Sequence, residues 1–287
     1  RQIENYGVAT IRKSPAFEAE LHVFEELARL IDDMGAIVPE DEFLQRVGRD
    51  TSTRNHIHFL LVVGHFFEKM KEDTEFTHRW HVNEEVANAV HEALRNMYRN
   101  LADDDLIPEA DMITSFLKEV EQLNEKYKNE EIIRRWLSIS RKIGKNPLGE
   151  WGKAESPNVR AKGMRDYAYL VIKRHGSPMH FREVAGAITS LFNRKAHEAT
   201  CHNELIKDKR FVLVGRGLYA LKEWGYADGV VKDVIVSILS KHGPLTREDI
   251  IDHVRRERYV KDNTILVNLQ DTQLFKRGKE GLYELKA

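Results

Sequence analysis

Apolar residues recur in the C-terminal half of the chain in a pattern that runs twice. An apolar helical stretch, Tyr167 to Ile172 in one copy and Val234 to Leu239 in the other, ends at Gly176 or Gly243. Glycine stops helices because it adopts the left-handed conformation without steric cost, and a proline soon after each glycine prevents the helix from continuing. The pattern therefore predicts a first helix in each copy.

The residues that follow predict a second helix. Apolar positions match between the copies at spacings of five and four residues, which place them on one helix face: Met179, Val184 and Ile188 against Leu245, Ile250 and Val254. Thr246 is a typical N-cap residue, and Asp249 stands where a capping box places a carboxylate. His180 occupies the equivalent start in the other copy.

A third helix and a hairpin complete each copy. We predict third helices over Lys195 to Lys207 and Val260 to Gln270. The segments from Phe211 to Leu221 and from Phe275 to Leu285 indicate short alternating strands around a glycine-containing turn. Three short helices followed by a two-stranded hairpin form a winged helix-turn-helix, so the pattern predicts two such domains, at 163–224 and 225–287.

A third, divergent copy is predicted over 17–82. Its first helix would run from Phe17 to Met34, and Gly35 would end it. The second helix would carry the face Val38, Phe43 and Val47, the third would run over 51–63, and 66–73 with 76–82 would form a longer wing.

The region between these copies has a different period. Two apolar stripes, at 86–101 and 113–127, predict a helical hairpin over 83–143, and the glycines and prolines of 144–162 indicate a linker. Trp151 in that linker either anchors on a partner or folds back on the adjacent domain. The expected fold is therefore mainly α-helical with small β-hairpins (α+β): tandem winged helix-turn-helix domains joined by a helical hairpin.

Composition narrows the class of protein. A length of 287 residues predicts two or more domains, because one domain takes about 100 to 200 residues. The longest apolar run, Ile57 to Phe67, is too short for a membrane span of roughly 20 residues. A single cysteine, Cys201, excludes an internal disulfide and fits a reducing compartment. We expect a cytoplasmic, nucleoid-associated protein without membrane contact, and a chain that begins partway through a longer one.

Charge is distributed unevenly along the chain. Acidic residues exceed basic ones by about seven over 1–162, whereas basic residues exceed acidic ones by about five over 163–224. A basic segment in an acidic chain is typical of a nucleic-acid contact, although a solvated face has the same composition.

Residues 163–224 resemble a known family. Three segments carry the resemblance: His180 to Ala185, His202 to Lys207 and Arg210 to Leu221. They are similar to the HARE-type winged helix-turn-helix family, which includes the amino-terminal domain of the delta subunit of bacterial RNA polymerase and domains fused to DNA-modifying and chromatin proteins. The resemblance spans a whole domain, and it implies a winged helix that works beside RNA polymerase.

The start of the chain carries a second, shorter resemblance. Arg1 to Asn5 with Ile11 to Lys13 look like the end of the promoter-recognition helix in region four of bacterial sigma factors. This resemblance implies that 1–16 closes that region, that the chain is the C-terminal part of a sigma-like factor, and that RNA polymerase core is a partner. Almost all of region four is missing, so no promoter recognition carries over to this chain.

The third helix of 163–224 supplies the candidate DNA-binding residues. Cys201 and Leu205 align with Ile265 and Leu269, so they should face the core, with Cys201 a buried thiol. The outward set on the helix and wing is Lys195, His197, Thr200, Asn203, Lys207, Lys209, Arg210 and Arg216. Lysine and arginine neutralise phosphates, and asparagine pairs with an adenine edge. The same face could instead be solvated or grip a protein.

Motifs of catalysis and cofactor binding are missing from the sequence. It has no phosphate-binding loop, no nucleophile elbow and no His-Glu-x-x-His. Histidine pairs, His56 with His58 and His78 with His81, offer too few ligands for structural zinc, as does the group His197, Cys201 and His202. We expect neither an enzyme nor a cofactor, metal or small-molecule substrate.

Together these observations predict a transcription-associated module that binds duplex DNA with bacterial RNA polymerase. The alternative is a protein-interaction module that docks on the polymerase without touching DNA. A third interpretation, the specificity arm of a nuclease or methylase, requires a catalytic motif upstream of Arg1.

Overall fold

Helices dominate the fold, and small antiparallel sheets lie between them, as predicted. The computed structural model describes residues 2–226, 229–278 and 280–286, with side chains from Tyr6 onward. Arg1 lies outside the described residues, so the sigma-like motif at the start stays a sequence prediction. The chain forms two compact units, Arg1–Arg160 and Ala161–Ala287. No described helix is long and apolar enough to cross a membrane.

The elements of the first unit alternate short helices with short strands. Its helices are α1 (Gln2–Ile11), α2 (Pro15–Ala19), α3 (Leu21–Asp33), α4 (Glu40–Val47), α5 (Thr51–Val63), α6 (Glu84–Asn100), α7 (Glu109–Glu119) and α8 (Glu130–Ile139). Its strands are β1 (Ile37–Pro39), β2 (Glu68–Met70), β3 (Arg79–His81), β4 (Ile143–Lys145) and β5 (Trp151–Lys153), and Glu125–Tyr127 forms a 3-10 turn.

The second unit also alternates short helices with short strands. Its helices are α9 (Met164–His175), α10 (Phe181–Phe192), α11 (Glu198–Lys207), α12 (Val231–His242), α13 (Arg247–Glu257) and α14 (Asp262–Leu269). Its strands are β6 (Met179–His180), β7 (Phe211–Gly215), β8 (Leu218–Leu221), β9 (Phe275–Arg277) and β10 (Tyr283–Leu285), with a 3-10 turn at Lys222–Trp224.

One order of elements recurs four times in the described residues. Each copy has a helix, a short extended stretch, two more helices and a hairpin, and the extended stretch pairs with the last hairpin strand. The pairs are Val38 with Trp80, Ile107 with Trp151, Met179 with Tyr219, and Leu245 with Tyr283. We number the copies first (17–82), second (84–153), third (163–224) and fourth (225–287).

The second helix of every copy begins in the same way. Its N-cap residue directly follows the paired residue named above, and a buried apolar side chain comes four residues after the cap. The caps are Pro39, Pro108, His180 and Thr246, and the buried residues are Phe43, Met112, Val184 and Ile250. This register confirms the sequence alignment of the third and fourth copies and extends it to the other two.

The second copy corrects the prediction for 83–162. A helical hairpin was expected over 83–143 and a linker over 144–162, but the region contains α6, α7, α8 and the hairpin β4–β5. The stripe at 113–127 packs in the core, with Leu123 half-buried, but it belongs to two helical segments because α7 ends at Glu119. Asn124 then caps the 3-10 turn and Asn129 caps α8. Trp151 folds back: it is buried and pairs with Ile107.

The first helix of the first copy also differs from the prediction. The expected helix over 17–34 is divided into α2 and α3 at Glu20. Gly35 follows α3 with φ +113°, and a Cβ there would lie 2.6 Å from Ile132 and 2.9 Å from Trp136. Glycine is therefore needed both for the backbone conformation and for the close approach of α8.

A carboxylate joins four elements in each of the first two copies. Glu40, the first residue of α4, accepts hydrogen bonds from Trp80 Nε1 (2.7 Å) and lies 2.5 Å from Lys69 Nζ and 3.6 Å from His58 Nε2. Lys69 and Trp80 are cross-strand neighbours. The carboxylate therefore ties the second helix to the third helix and to both hairpin strands.

Glu109 does the same in the second copy. It is the first residue of α7, and its partners are Trp151 Nε1 (3.4 Å), Arg134 Nε (2.7 Å) and Lys145 Nζ. Lys145 and Trp151 are again cross-strand neighbours. The repeated arrangement shows that the first two copies share their internal contacts as well as their topology.

Candidate nucleic-acid interface

The inner face of α11 packs as the sequence predicts. Cys201 and Leu205 are 0% and 1% exposed and lie one helical turn apart. Burial raises the pKa of the Cys201 thiol to about 11, so the thiol stays protonated and unreactive near neutral pH. These two residues fix which side of α11 faces outward.

The outer face of α11 presents a polar stripe. Thr200, Asn203 and Lys207 are exposed and follow each other at spacings of three and four residues, so they share one face of the helix. Their hydroxyl, amide and ammonium groups are side-chain types that bind base edges and phosphates.

Lys195 and His197, the first two of the predicted DNA-binding residues, precede α11 in the structure. The expected third helix began at Lys195, but α11 begins at Glu198. Asn193, in the left-handed conformation at φ +49°, ends α10, and the Ala196 amide donates to Thr189 Oγ1 (3.2 Å). Lys195 and His197 therefore project, exposed, from the ordered turn between the two helices.

The β7–β8 hairpin of the third copy places two further cations on the surface. Lys209 precedes β7, and Arg216 lies in the turn between β7 and β8; both are exposed. The turn requires glycine at 217, where φ is +74° and a Cβ would lie 2.6 Å from the ring of His180. Since α11 contacts β7, the hairpin and the third helix pack together.

Arg210 has a structural role that separates it from the rest of the set. Its guanidinium donates to Asp166 (2.9 Å) and Asp208 (2.7 Å) and lies over the Tyr169 ring. Burial raises the pKa values of both carboxyl groups, but hydrogen bonds, including those from Arg210, outweigh burial and lower them below the ordinary range. Arg210 thus ties α9 to the start of the β7–β8 hairpin, and its guanidinium is not part of the candidate interface.

Sequence reasoning missed the apolar and acidic residues of this surface. Ile206 on α11 is 62% exposed and Leu213 on β7 is 50% exposed. Glu198, in the first turn of α11, pairs with Arg182 (3.1 Å), which reduces the local positive charge. Their position within the third copy was readable from the sequence, but their exposure depends on tertiary packing.

The third helices of the first two copies, α5 and α8, are partly covered. Along α5, α1 packs near the C-terminal end, where Arg12 donates to the carbonyls of Val63 (2.7 Å) and Gly64 (2.5 Å). Helix α8 lies against the first copy: Arg135 donates to Met34 O and Glu42, and Trp136 donates to Gly35 O (3.1 Å). Both helices keep an exposed strip, but the exposed residues of α5 include no lysine or arginine, and the exposed cation of α8, Arg134, is paired with Glu109 and Glu130.

The third helix of the fourth copy, α14, is exposed but has different side chains at the positions equivalent to the α11 stripe. Thr264 matches Thr200, whereas Val267 stands where the third copy has Asn203 and is 64% exposed. Asp271 stands where the third copy has Lys207, and it pairs with Lys232 (2.5 Å). Among the described third helices, α11 is therefore the best suited to nucleic acid.

Histidines singled out in the sequence have separate surroundings in the structure. His56 is exposed, whereas His58 faces Glu40 and Lys69. His202 stacks on Phe181 with ring centroids 4.4 Å apart.

Comparison with known proteins gives no assignment. No protein-family model matches the chain, and no curated protein matches it.

Proposed function

We propose that the chain is a transcription-associated protein that binds duplex DNA through its third copy. In this proposal the copies are winged helix-turn-helix domains, with α11 in the major groove and the Arg216 turn on the backbone. The observation that carries the proposal is the exposed stripe Thr200, Asn203 and Lys207 on a third helix, beside exposed cations in the same copy. The other residues of the interface are Lys195, His197 and Lys209.

The third helices of the first two copies support a single DNA-binding copy. A helix must present a free face to enter the major groove, which is about 12 Å wide. Since α1 and the first copy cover part of α5 and α8, and the only exposed cation on these two helices is the ion-paired Arg134, the first two copies are suited to a structural or protein-binding role. The resemblance of 163–224 to the HARE-type family, together with the sigma-like start, supports placing this protein beside bacterial RNA polymerase.

Gel-shift titration over a range of salt concentrations tests the proposal. Lys207→Ala and Arg216→Ala should each weaken binding on all duplexes and reduce the salt slope by about one. Asn203→Ala should instead relax the preference between duplex sequences, by about 1–3 kcal/mol at one position. Lys118→Ala, an exposed lysine on α7, is the control and should leave binding unchanged. Absence of duplex binding at low salt would refute the proposal.

Exposed Ile206 favours a second candidate function, docking on RNA polymerase without DNA contact. An isoleucine that is 62% exposed on the outer side of α11 suits a protein surface better than a phosphate backbone. A pull-down with purified core polymerase in the absence of DNA separates the two functions. If docking is the function, Ile206→Asn should lower polymerase capture, whereas Lys207→Ala should change it little.

A further inference from the structure

A buried arginine–histidine bond joins the first two copies. Arg79 on β3 donates from Nε to His91 Nε2 on α6 (2.8 Å), and each of the two residues is 5% exposed. The other guanidinium nitrogens donate to the Lys71 carbonyl (3.0 Å) and to Asp73 (3.5 Å), both in loop 71–78. Arg79 therefore connects this loop of the first copy to the first helix of the second copy.

The loop also packs directly on the second copy. Phe76 is 2% exposed, and its ring centre lies 4.5 Å from that of His91 and 5.3 Å from the guanidinium carbon of Arg95 on α6. The Thr77 amide donates to Ile139 O (2.9 Å) at the end of α8. His91 thus lies within the contact that holds loop 71–78 closed.

The bond from Arg79 requires a neutral His91. An imidazole nitrogen accepts a hydrogen bond only when it carries no proton, and arginine keeps its charge at ordinary pH. A proton on His91 Nε2 would therefore replace an acceptor by a donor and bring two cations together. Burial, and then the charges of Arg79 and Arg95, lower the pKa of His91 from 6.5 to about 4. The stabilisation from neutral His91 is complete above pH 6.5 and is lost as the pH falls through 4.

Other titratable and charged groups surround His91 on each neighbouring element. They are Arg95 on α6, Arg79 and His81 on β3, and Asp73 and Glu75 in the loop, while Arg141 after α8 donates to Asp73 O (2.7 Å).

Asp73 and His81 differ in how they respond to acid. Burial raises the pKa of Asp73, but hydrogen bonds from the Glu75 and Phe76 amides outweigh burial and lower it below 3.8. Asp73 therefore stays ionised between pH 7.5 and 5. Burial lowers the pKa of His81. Since its Nε2 lies 4.0 Å from Glu68 on β2, His81 is the second histidine at which acid could act.

We propose that His91 is an acid-sensitive latch between the first two copies, whose protonation breaks the bond to Arg79 and releases loop 71–78 from α6. Opening of the latch exposes the Phe76 ring, which is buried in the closed form. The latch lies outside the α11 surface and does not depend on DNA binding.

Hydrogen exchange of the full chain, corrected for the intrinsic rate at each pH, tests the latch. The Thr77 amide reports loop opening because it is bonded to Ile139 O in the closed form. A pKa of 6.5 in the open form and about 4 in the closed form predicts that the opening constant rises about thirtyfold between pH 7.5 and 5.

Two variants separate His91 from the other groups. His91→Gln offers Arg79 a neutral acceptor that takes up no proton, so its opening constant should stay level between pH 7.5 and 5. His56→Gln, at an exposed histidine on α5, is the matched control and should show the same rise as the unchanged protein.

Three results would overturn the proposal. The first is an opening constant of the unchanged protein that does not rise in acid, and the second is the same rise in His91→Gln, which would assign the response to His81 or a carboxylate. The third is an equal rise at the amides of α3, which would mean that the whole unit unfolds. Titration of the His91 ring by NMR needs no variant, and a pKa at or above 6.5 would also exclude the latch.

Discussion

Replacing Glu109 by glutamine should destabilise the first unit in a pH-dependent way. Hydrogen bonds from Lys145 and Arg134 lower the pKa of Glu109 from 4.5 to about 2. A fully expressed shift of that size corresponds to roughly 3 kcal/mol, at about 1.4 kcal/mol per pKa unit. The Lys145 and Arg134 side chains are 43% and 45% exposed, so water screens the interaction and we expect about 1 kcal/mol.

The sign of the pH dependence follows from the lowered pKa. The ionised carboxylate stabilises the fold at and above pH 4.5, and this contribution is lost as the pH falls towards 2 and the folded protein takes up the proton. Glu109→Gln should therefore be less stable than the unchanged protein at pH 7, and the difference should shrink between pH 4.5 and 2.

Urea unfolding followed by tryptophan fluorescence and circular dichroism measures this difference. Trp80, Trp136 and Trp151 lie in the first unit, so fluorescence reports mainly on that unit. Glu121→Gln, at an exposed position after α7, is the control and should unfold as the unchanged protein does. Equal stability of Glu109→Gln at pH 7, or a difference that stays constant down to pH 2, would contradict the proposed role of the carboxylate.

Three further predictions concern the packing of the copies. Trp136→Ala should lower the free energy of unfolding by about 3–5 kcal/mol, because the fully buried ring and its hydrogen bond to Gly35 are both lost. A loss below about 1 kcal/mol in urea titration would contradict this prediction. Cys201 should react with a thiol reagent at pH 8 only after unfolding, and rapid labelling of the native protein would show that the thiol is accessible. Arg210→Met should cost about 1–2 kcal/mol of stability yet leave the salt slope of DNA binding unchanged, whereas Lys209→Met should do the reverse; both are read from paired denaturation and gel-shift series.

Much of the fold was predictable because local signals and packing agree. The glycine after each first helix and the repeated apolar spacing predicted the helices of the third and fourth copies in matching positions. The bounds of α5, Thr51 and Val63, were also predicted. The second copy escaped detection because its first helix ends at Asn100 without a glycine. A usable signal was present: Val38-Pro39-Glu40 and Ile107-Pro108-Glu109 share an apolar residue, a proline and a glutamate at the start of the second helix.

The candidate site was less predictable than the fold. Periodicity correctly placed Cys201 inward and Asn203 outward on α11. The ion pairs that engage Arg210 come from Asp166, 44 residues away in sequence, as well as from its neighbour Asp208, and no local pattern reports such a contact. The covering of α8 likewise arises from contacts between copies, which periodicity within one helix cannot reveal.

Pairing of the first extended stretch with the last strand has a consequence for how the chain folds. Val38 and Trp80, or Met179 and Tyr219, are separated by roughly 40 residues, so each copy closes its own loop and brings its two ends together. Most contacts are therefore made within a copy, which favours rapid, copy-by-copy folding during synthesis. The first copy would emerge with the α8-binding surface around Gly35 uncovered and would bury it only when the second copy follows. A translational pause placed between the two should therefore lengthen the exposure of that surface.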